Sequence, residues 1–306
     1  MSPQRIVSFL PSATEMVYAL GAGGRLVGVT HECDFPPEAR RKAVVVRPAL
    51  QLETMSPGEI DAAVSGQAST SGSVYNVDAA LLRELQPDLI ITQDLCSVCA
   101  PAQDEISRAI SDLPQQPRIL SLTPHTLGDV LRNVRELGLA IGCNAEAERL
   151  IRDAEQRLDR IRAKTSGLRR ARVFCMEWTD PIYCSGHWVP EMVEIAGGSD
   201  AIARKGDDSV RVAWEEVVAV APEVLVIAPC GFDLAHAKQQ ASTLPQLPGW
   251  ETVPAVHSGR VYVVDANSYF ARPGLRLVDG TELLAHLVHP EHSEWRGSSD
   301  AFAKLD

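Results

Sequence analysis

The sequence has few aromatic residues, no long hydrophobic run and fewer basic than acidic residues. Aromatic residues make up 5% of the 306 residues. No window holds about 18 or more consecutive apolar residues, which argues against a membrane-spanning helix. The 29 basic and 40 acidic residues give a formal net charge of −11. Because contacts with phosphate need clustered lysine and arginine, this balance argues against a nucleic-acid partner.

Cysteine is too sparse and too scattered to indicate a disulfide framework. The seven cysteines are an odd number, and their spacing follows no small secreted scaffold. The first residues lack the long apolar stretch of a secretory signal, so we expect a cytoplasmic protein, or a periplasmic or extracellular one if the chain is processed. The G-x-S-x-G elbow, the Walker loop and the H-E-x-x-H motif are also missing. We therefore expect a binding protein with no catalytic cofactor rather than an enzyme.

Short apolar runs alternate with helical patterns along most of the sequence. Strands that alternate with helices are typical of parallel sheets covered by helices, which makes the fold class α/β. Ser12, with Glu15 three residues later, has the capping-box pattern of a helix start. The predicted strands are residues 5–9, 26–29, 44–46, 88–91, 118–121, 171–175, 224–228 and 261–264.

The order of these patterns predicts two Rossmann-like α/β lobes. Residues 1–125 form an N-terminal lobe and residues 169–306 a C-terminal lobe. The helical segment at residues 126–168 is interrupted at residues 142–144, and its second part is long enough to be a single rigid connecting helix. A ligand cleft between the two lobes is expected, since ligands favour domain boundaries.

The second half of the sequence repeats features of the first half. The motif TEMV at residues 14–17 has a counterpart in PEMV at residues 190–193, and each leads to a pair of glycines. Likewise QPDLII at residues 86–91 resembles APEVLV at residues 221–226. Two similar lobes are the simplest explanation of this repeat.

Half of the aromatic residues fall in loops that follow predicted strands. In a parallel sheet, ligands bind outside the carboxyl ends of the strands. Large flat rings in these loops suit a large, planar, partly apolar ligand, whereas the alternative for each single ring is packing against its own lobe. These residues are Phe35, Tyr75, Trp178, Tyr183, Trp188, Phe232, Tyr269 and Phe270.

The same loops carry histidine and cysteine residues that suit a soft or borderline metal ion. His31 and Cys33 follow a predicted strand, and Cys96 and Cys99 form a lone C-x-x-C motif. These four residues are the predicted metal ligands. The alternative is a structural role for each, because a lone C-x-x-C is a weak zinc motif and a buried cysteine behaves as a small hydrophobic residue.

Four stretches of the sequence carry a family resemblance: residues 5–26 (RIVSFLPSATEMVYALGAGGRL), 31–37 (HECDFPP), 87–99 (PDLIITQDLCSVC) and 214–226 (WEEVVAVAPEVLV). They resemble the class III substrate-binding proteins of ABC importers for cobalamin, haem and iron–siderophores. The resemblance covers nearly the whole chain and is greatest to the cobalamin-binding branch. It implies two α/β lobes joined by one rigid helix, a small closure on ligand binding, and an importer permease as partner of a monomeric protein.

Within this family, a corrinoid fits the loops better than an anionic chelate. Siderophores and haem propionates are usually met by arginine or lysine, and the strand-end loops offer only Arg272. The expected function is non-enzymatic binding of a cobalamin-like corrinoid for transport, carriage or storage. The alternatives are a haem or iron-chelate-binding protein, and a metal-dependent or redox protein that uses the histidine–cysteine cluster. The expected ligand-binding residues are Ser12, Thr14, His31, Cys33, Tyr75, Asp94, Cys96, Trp178, His187, Trp188, Phe232, Tyr269 and Arg272.

The resemblance also implies two acidic residues that dock the protein on its transporter. Each lobe of a family member usually presents one, seven positions before the proline that leads into a strand. Glu215 has this place before Pro222, whereas Ala80 has it before Pro87. Asp78 is the nearest acidic residue, so Asp78 and Glu215 are the expected docking residues.

Overall fold

The described residues form two compact α/β units. A computed structural model describes residues 2–49, 55–69, 75–93, 103–111 and 113–305. The first unit comprises Met1–Met55, Glu59–Pro124 and Asp129–Arg152, and the second comprises Ser56–Gly58, His125–Gly128 and Asp153–Asp306. The prediction of two α/β lobes is confirmed.

The first unit contains a six-stranded sheet with the order β4-β3-β2-β1-β5-β6. All neighbouring strands are parallel except β3 and β4. The strands are β1 (Ile6–Ser8), β2 (Leu26–Thr30), β3 (Ala43–Pro48), β4 (Tyr75–Val77), β5 (Leu89–Thr92) and β6 (Arg118–Ser121). The helices are α1 (Pro11–Ala19), α2 (Pro57–Ser69), α3 (Ala79–Leu85), α4 (Gln103–Ser111), α5 (Leu127–Ile141) and α6 (Asn144–Thr165), the last of which continues into the second unit after Arg152.

The second unit contains the strands β7 (Ala171–Thr179), β8 (Ile182–Cys184), β9 (Gly198–Asp200), β10 (Val224–Ile227), β11 (Val261–Val264) and β12 (Phe302–Lys304). Its sheet has the order β12-β11-β10-β7-β8, with β9 paired to β7. Strands β8 and β12 are antiparallel to their neighbours. The helices are α7 (Val189–Ile195), α8 (Trp214–Val220), α9 (Leu234–Ala241), α10 (Pro254–His257), α11 (Ala266–Tyr269) and α12 (Leu277–Val288). Short 3-10 helices lie at Gly23–Arg25, Pro37–Arg41, Leu244–Gln246, Trp250–Thr252 and Ser299–Ala301.

The internal repeat in the sequence corresponds to a repeated arrangement of strands. Four parallel strands have the order β2-β1-β5-β6 in the first unit and β9-β7-β10-β11 in the second. Helices α1 and α7 connect the first pair of each set, and α3 and α8 precede β5 and β10. The two similar stretches QPDLII and APEVLV therefore occupy equivalent places in the two sheets.

The central strands are buried because both faces of each sheet carry helices. Strand β10 is fully buried over its whole length, and Leu89, Ile90 and Ile91 of β5 are fully buried as well. A continuous apolar run is the pattern expected of a parallel strand that is covered on both sides. The predicted all-parallel sheets differ from the structure only at β4, β8 and β12, three short strands that lie beside the parallel set.

The start of α1 differs from the predicted capping box. The N-cap is Leu10, no side chain caps the helix, and Pro11 is the first helical residue. Ser12 lies inside the helix and is buried, so its predicted capping role is wrong. Proline is favoured at this position because its φ angle already suits a helix and its missing N–H has no partner to lose.

The predicted break in the helical segment is confirmed. Helix α5 ends at Ile141, Gly142 has a φ angle of +74°, and Asn144 begins α6. A positive φ angle costs glycine little, which is why the chain can turn here. The boundary between the two compact units falls inside the 22-residue helix α6, after Arg152. The rigidity of this helix and the domain boundaries stay predictions.

In the second unit, α6 is held against α12 by charge pairs. Arg157 of α6 donates hydrogen bonds to the carboxylates of Asp279 and Glu282. These bonds fix the second half of the helix on its own unit. None of the helices in the described part of the chain combines the length and the apolar character that a membrane crossing needs.

Gly280 should be essential for the packing of α12, since a Cβ atom at this position would overlap the carbonyl oxygen of Tyr269. We expect Gly280→Ala to lower the free energy of unfolding by at least about 2 kcal/mol. Gly66 of α2 is the matched control, because a Cβ atom there meets nothing within 4 Å. Gly66→Ala should stabilise the protein by roughly 0.5–1 kcal/mol. Urea unfolding of both variants measures this, and equal effects would contradict the packing described.

Candidate functional site

In the first unit, Thr14, Thr30 and Cys33 pack together in the interior, near the carboxyl ends of β1 and β2. The Cys33 sulfur lies 3.1 Å from the Thr14 hydroxyl and 3.3 Å from the Thr30 hydroxyl. All three residues are buried, as is Ser12. The thiol and both hydroxyls are thus partnered inside the unit. Ligand binding by Ser12, Thr14 and Cys33 stays a prediction.

His31 and Tyr75 lie side by side at the carboxyl end of the sheet. Tyr75 pairs with Pro48, the last residue of β3, and His31 directly follows β2. Their ring centroids are 6.1 Å apart. The imidazole Nδ1 is 3.3 Å from the Val46 carbonyl oxygen. An imidazole and a phenol therefore meet at the edge where a ligand of a parallel sheet is expected.

Part of the predicted metal cluster lies outside the described residues. This applies to Asp94, Cys96 and Cys99. Of the other two predicted ligands, His31 is an exposed residue whose side chain is 27% exposed, and Cys33 is buried between two hydroxyls. Within the described ranges, neither of them belongs to a group of three residues that could hold a metal ion.

In the second unit, adjacent parallel strands bring two aromatic rings together. Trp178 lies near the end of β7, and Phe232 lies in the loop after β10. Their ring centroids are 5.6 Å apart and their planes are inclined by 36°. Both residues are only partly buried. The Trp178 indole N–H donates to the Asp180 carbonyl oxygen at 3.0 Å, which fixes the orientation of the ring. The ring of His236 continues the row, 6.2 Å from Phe232.

Other predicted aromatic residues pack within their own unit. Trp188 is buried, and its indole N–H donates to the Phe270 carbonyl oxygen at 2.7 Å. Phe270 is buried too. Tyr269 is partly buried and meets the edge of Trp295 at 5.7 Å. Trp188 and Phe270 therefore pack against their own unit, which was the alternative to ligand contact for each ring. Contact of Trp188 with a ligand stays a prediction.

Three of the positive side chains near these loops are buried or already have a partner. Arg272 is only 8% exposed. The Arg211 guanidinium lies over the Tyr183 ring, 5.6 Å from its centroid, and donates to the Tyr183 hydroxyl. Lys205 forms an ion pair with Glu191 at 2.6 Å. A ligand bound at these loops would therefore find Arg211 and Lys205 already in contact with other side chains.

His187 has a backbone conformation that side chains rarely adopt. Its φ angle is +54°, in the left-handed region. Its N–H donates to the Asp207 carbonyl oxygen at 2.6 Å, and its own carbonyl oxygen accepts from the Gly206 N–H at 2.8 Å. Gly186, just before it, has no room for a Cβ atom, which would overlap Ser209. Strained backbone of this kind is kept where neighbouring structure holds it and often marks a functional position.

Two further polar side chains converge on His187. The ring of His125 lies 5.7 Å away, and Asp208 Oδ1 is 3.2 Å from His187 Nε2. Burial lowers the pKa of His187, and Asp208 partly offsets this effect. Sequence reasoning missed His125, which lies four residues beyond β6. It also missed Asp208, because the three-residue strand β9, whose following loop carries Asp208, was not predicted.

The expected docking residues occupy equivalent helices of the two units. Asp78 is the N-cap of α3, where its carboxylate accepts from the Leu81 N–H at 2.9 Å. Glu215 lies in the first turn of α8. Both side chains belong to exposed residues. Their role in docking stays a prediction.

Comparisons with known proteins identify the family. A sequence profile described as periplasmic binding protein matches residues 6–268, and the chain belongs to this family. It is 27% identical to an uncharacterized ABC transporter substrate-binding lipoprotein, YvrC of Bacillus subtilis, over 94% of this chain and 81% of that protein. It is also 27% identical to a vitamin B12-binding protein of Pectobacterium carotovorum, over 90% of this chain and 85% of that protein.

Solved structures with similar folds have different ligands in their names. The periplasmic vitamin B12 binding protein BtuF of Vibrio cholerae has a TM-score of 0.68 and 22% identity, over 94% of this chain and 97% of that chain. A periplasmic haem-binding protein from Pseudomonas aeruginosa has a TM-score of 0.73 and 21% identity, over 99% of this chain and 98% of that chain. At such identities the likeness establishes the fold alone.

The expected cytoplasmic location is wrong. The family is one of periplasmic binding proteins, and the relatives include a substrate-binding lipoprotein of an ABC transporter. These findings contradict the expectation of a cytoplasmic protein. The expectation rested only on a missing leader pattern, which carries less weight than membership of the family.

Asp200, at the end of β9, should make stability depend on pH. It accepts hydrogen bonds from the Ile202 and Ala203 N–H groups, yet burial raises its pKa to about 6. Since the folded state holds this proton more tightly than the unfolded state, the contribution of Asp200 to stability falls as the pH rises from about 4 to 6. Asp200→Asn keeps an oxygen acceptor for both N–H groups and removes the titration.

We therefore expect the stability of Asp200→Asn, relative to the unsubstituted chain, to be higher at pH 7 than at pH 4. The difference should approach about 3 kcal/mol, the equivalent of a shift of two pKa units. Urea unfolding at both pH values measures it. A relative stability that is the same at both pH values would contradict this assignment.

Proposed function

We propose that the chain is a substrate-binding protein that binds a cobalamin-like corrinoid without chemical change and delivers it to an ABC importer. The observation that carries the proposal is the Trp178–Phe232 pair, 5.6 Å apart and partly buried at the carboxyl ends of adjacent parallel strands. Inclined rings of this kind offer apolar surface to a large, rigid ring system. The vitamin B12-binding relatives support the same ligand class.

The charges near these loops favour a ligand with neutral substituents. A corrin ring carries amides at its edge, whereas haem carries two propionates and siderophores hold their metal in anionic form. Arg272 is nearly buried, and both Arg211 and Lys205 have partners. A ligand carboxylate would compete with these existing contacts for the same positive groups. Backbone groups and hydroxyls are sufficient partners for amides.

The acidic residues Asp78 and Glu215 provide a docking surface for the importer in this proposal. Helices α3 and α8 end next to the start of β5 and β10, so their first turns lie toward the carboxyl edge of each sheet. The ligand-binding loops and the docking residues of each unit are then on the same side of its sheet. A permease that contacts the acidic residues would also be close to the ligand.

Titration calorimetry with cyanocobalamin tests the ligand class. We expect 1:1 binding with a Kd in the micromolar range or tighter, and much weaker binding of haemin and of a ferric siderophore. Trp178→Ala should weaken cobalamin binding by roughly tenfold, since an aromatic contact contributes about 0.5–1.5 kcal/mol beyond its buried area.

The matched control is Trp178→Phe, which keeps an aromatic ring and should recover most of the affinity. Thermal unfolding of both variants shows whether either substitution perturbs the fold. Binding of haemin in preference to cobalamin would contradict the corrinoid proposal and show that haem is the preferred ligand. Equal affinities of Trp178→Ala and the unsubstituted chain would remove this ring from the site.

Docking can be separated from ligand binding by neutral substitutions. We expect Asp78→Asn and Glu215→Gln together to leave the cobalamin affinity unchanged but to lower cobalamin-dependent stimulation of the importer ATPase in proteoliposomes by at least about tenfold. Asparagine still caps α3 at position 78, which keeps the helix stable.

Glu216→Gln is the matched control for docking, because Glu216 lies next to Glu215 in the same exposed turn. It should stimulate the ATPase as the unsubstituted chain does. Full stimulation by the double variant would contradict a docking role for Asp78 and Glu215.

A further inference from the structure

Three potential metal ligands meet in the second unit, outside the aromatic pair. One ligand atom from each of His125, His187 and Asp208 can be chosen so that all three lie within 4.8 Å of one another. In the part of the chain that the structure describes, no other group of three or more such residues reaches this proximity. We propose that these residues bind a divalent first-row transition-metal ion, independently of the corrinoid.

The distances are close to those of a coordination sphere. In a tetrahedral site with bonds of about 2.0–2.1 Å, ligand atoms are separated by roughly 3.3 Å. His187 Nε2 and Asp208 Oδ1 are already 3.2 Å apart. The His125 and His187 rings are 5.7 Å apart with an inclination of 37°. The His125 ligand atom lies within 4.8 Å of the other two.

The backbone around the cluster holds two of the ligands in place. The loop that carries Asp208 is bound to His187 by two backbone hydrogen bonds, through Asp207 and Gly206. Gly186 leaves no space between the two loops for a side chain. His187 keeps its left-handed conformation as a result. A histidine pays for this conformation, whereas glycine would adopt it freely.

The chain segment that carries the third ligand, His125, is attached to the second unit by a different contact. Leu127, two residues beyond His125, donates its N–H to Glu191 Oε2 at 3.0 Å. Glu191 belongs to α7, which begins directly after Trp188. The chain segment with His125 is therefore attached to the same helix that follows His187. Such support from neighbouring groups is what sets the orientation of metal ligands.

The ligand set selects the class of metal. Two imidazoles and one carboxylate suit Zn²⁺, Fe²⁺, Co²⁺ or Ni²⁺, whereas Mg²⁺ and Ca²⁺ prefer oxygen ligands alone. Three protein ligands leave a coordination position for water or for a donor atom of another molecule. The Asp208 side chain is 78% exposed, so solvent reaches this ligand. We expect a metal ion that exchanges with solution rather than a permanent structural ion.

Zinc binding to the full chain tests the site. After treatment with a chelator and its removal, the chain is titrated with Zn²⁺ in competition with a chromophoric indicator. We expect one Zn²⁺ per chain with a Kd in the micromolar range or tighter. His187→Asn, His125→Gln and Asp208→Asn should each weaken binding by at least about tenfold. Asparagine is chosen at position 187 because it tolerates a positive φ angle.

His257→Gln is the matched control, since it removes an exposed imidazole of the same unit far along the chain from the cluster. Its Zn²⁺ affinity should equal that of the unsubstituted chain. Cobalt(II) spectra give a second readout: nitrogen and oxygen ligands produce no thiolate charge-transfer band. Cobalamin is titrated separately in the presence of chelator, so that failure of either proposal leaves the other standing.

Three results would overturn the site. The first is Zn²⁺ binding that survives all three substitutions unchanged. The second is no stoichiometric binding at 100-fold the expected Kd. The third is a thiolate charge-transfer band with Co²⁺, which would assign the metal to cysteine.

Discussion

Two acidic residues, Asp88 and Glu223, join the central strands of the two sheets at their amino ends, and the register of these strands positions the loops at their carboxyl ends. Asp88 accepts a hydrogen bond from the Arg5 N–H and donates its own N–H to the Arg5 carbonyl oxygen. Glu223 has the same two contacts with Arg172 in the second unit. A hydrogen bond from the Arg169 side chain and the nearby positive charges lower the pKa of Glu223 to about 2, so this carboxylate stays ionised down to acidic pH. Each residue follows a proline, which explains why the Pro-Asp and Pro-Glu lead-ins occur at equivalent places.

This register brings side chains from separate parts of the sequence to one edge of each sheet. Strands β7 and β10 are parallel and are paired along the whole of β10. Trp178 and Phe232 therefore come together near the carboxyl ends of these strands. The neighbouring β9 is aligned with the start of β7, and the loop that follows it carries Asp208 to His187. The Trp178–Phe232 pair and the approach of Asp208 to His187 therefore both depend on the strands that pair with β7. The fold supplies the positions, and the loop residues supply the chemistry.

Most of the fold could be predicted because its signals are local. Apolar runs gave the strands at residues 118–121 and 261–264 with their observed bounds, and the repeat predicted two similar lobes. The site was harder, because burial of a loop residue depends on tertiary contacts. No local pattern distinguishes Trp178, which stays partly exposed, from Trp188, whose N–H finds the Phe270 carbonyl oxygen. Asp208 was missed since β9 is three residues long and contains a glycine, too short a run to predict a strand.

The corrinoid was chosen as ligand because positive side chains near the aromatic pair already have partners, which favours neutral substituents on the ligand. Competition between a corrinoid and haem tests this choice without substituting any single side chain. The full chain would be incubated with equimolar cyanocobalamin and haemin, separated from free ligand, and analysed for cobalt and iron. We predict close to one cobalt per chain, little iron, and a visible spectrum dominated by the corrin. An excess of iron over cobalt, with a haem Soret band, would contradict the corrinoid assignment.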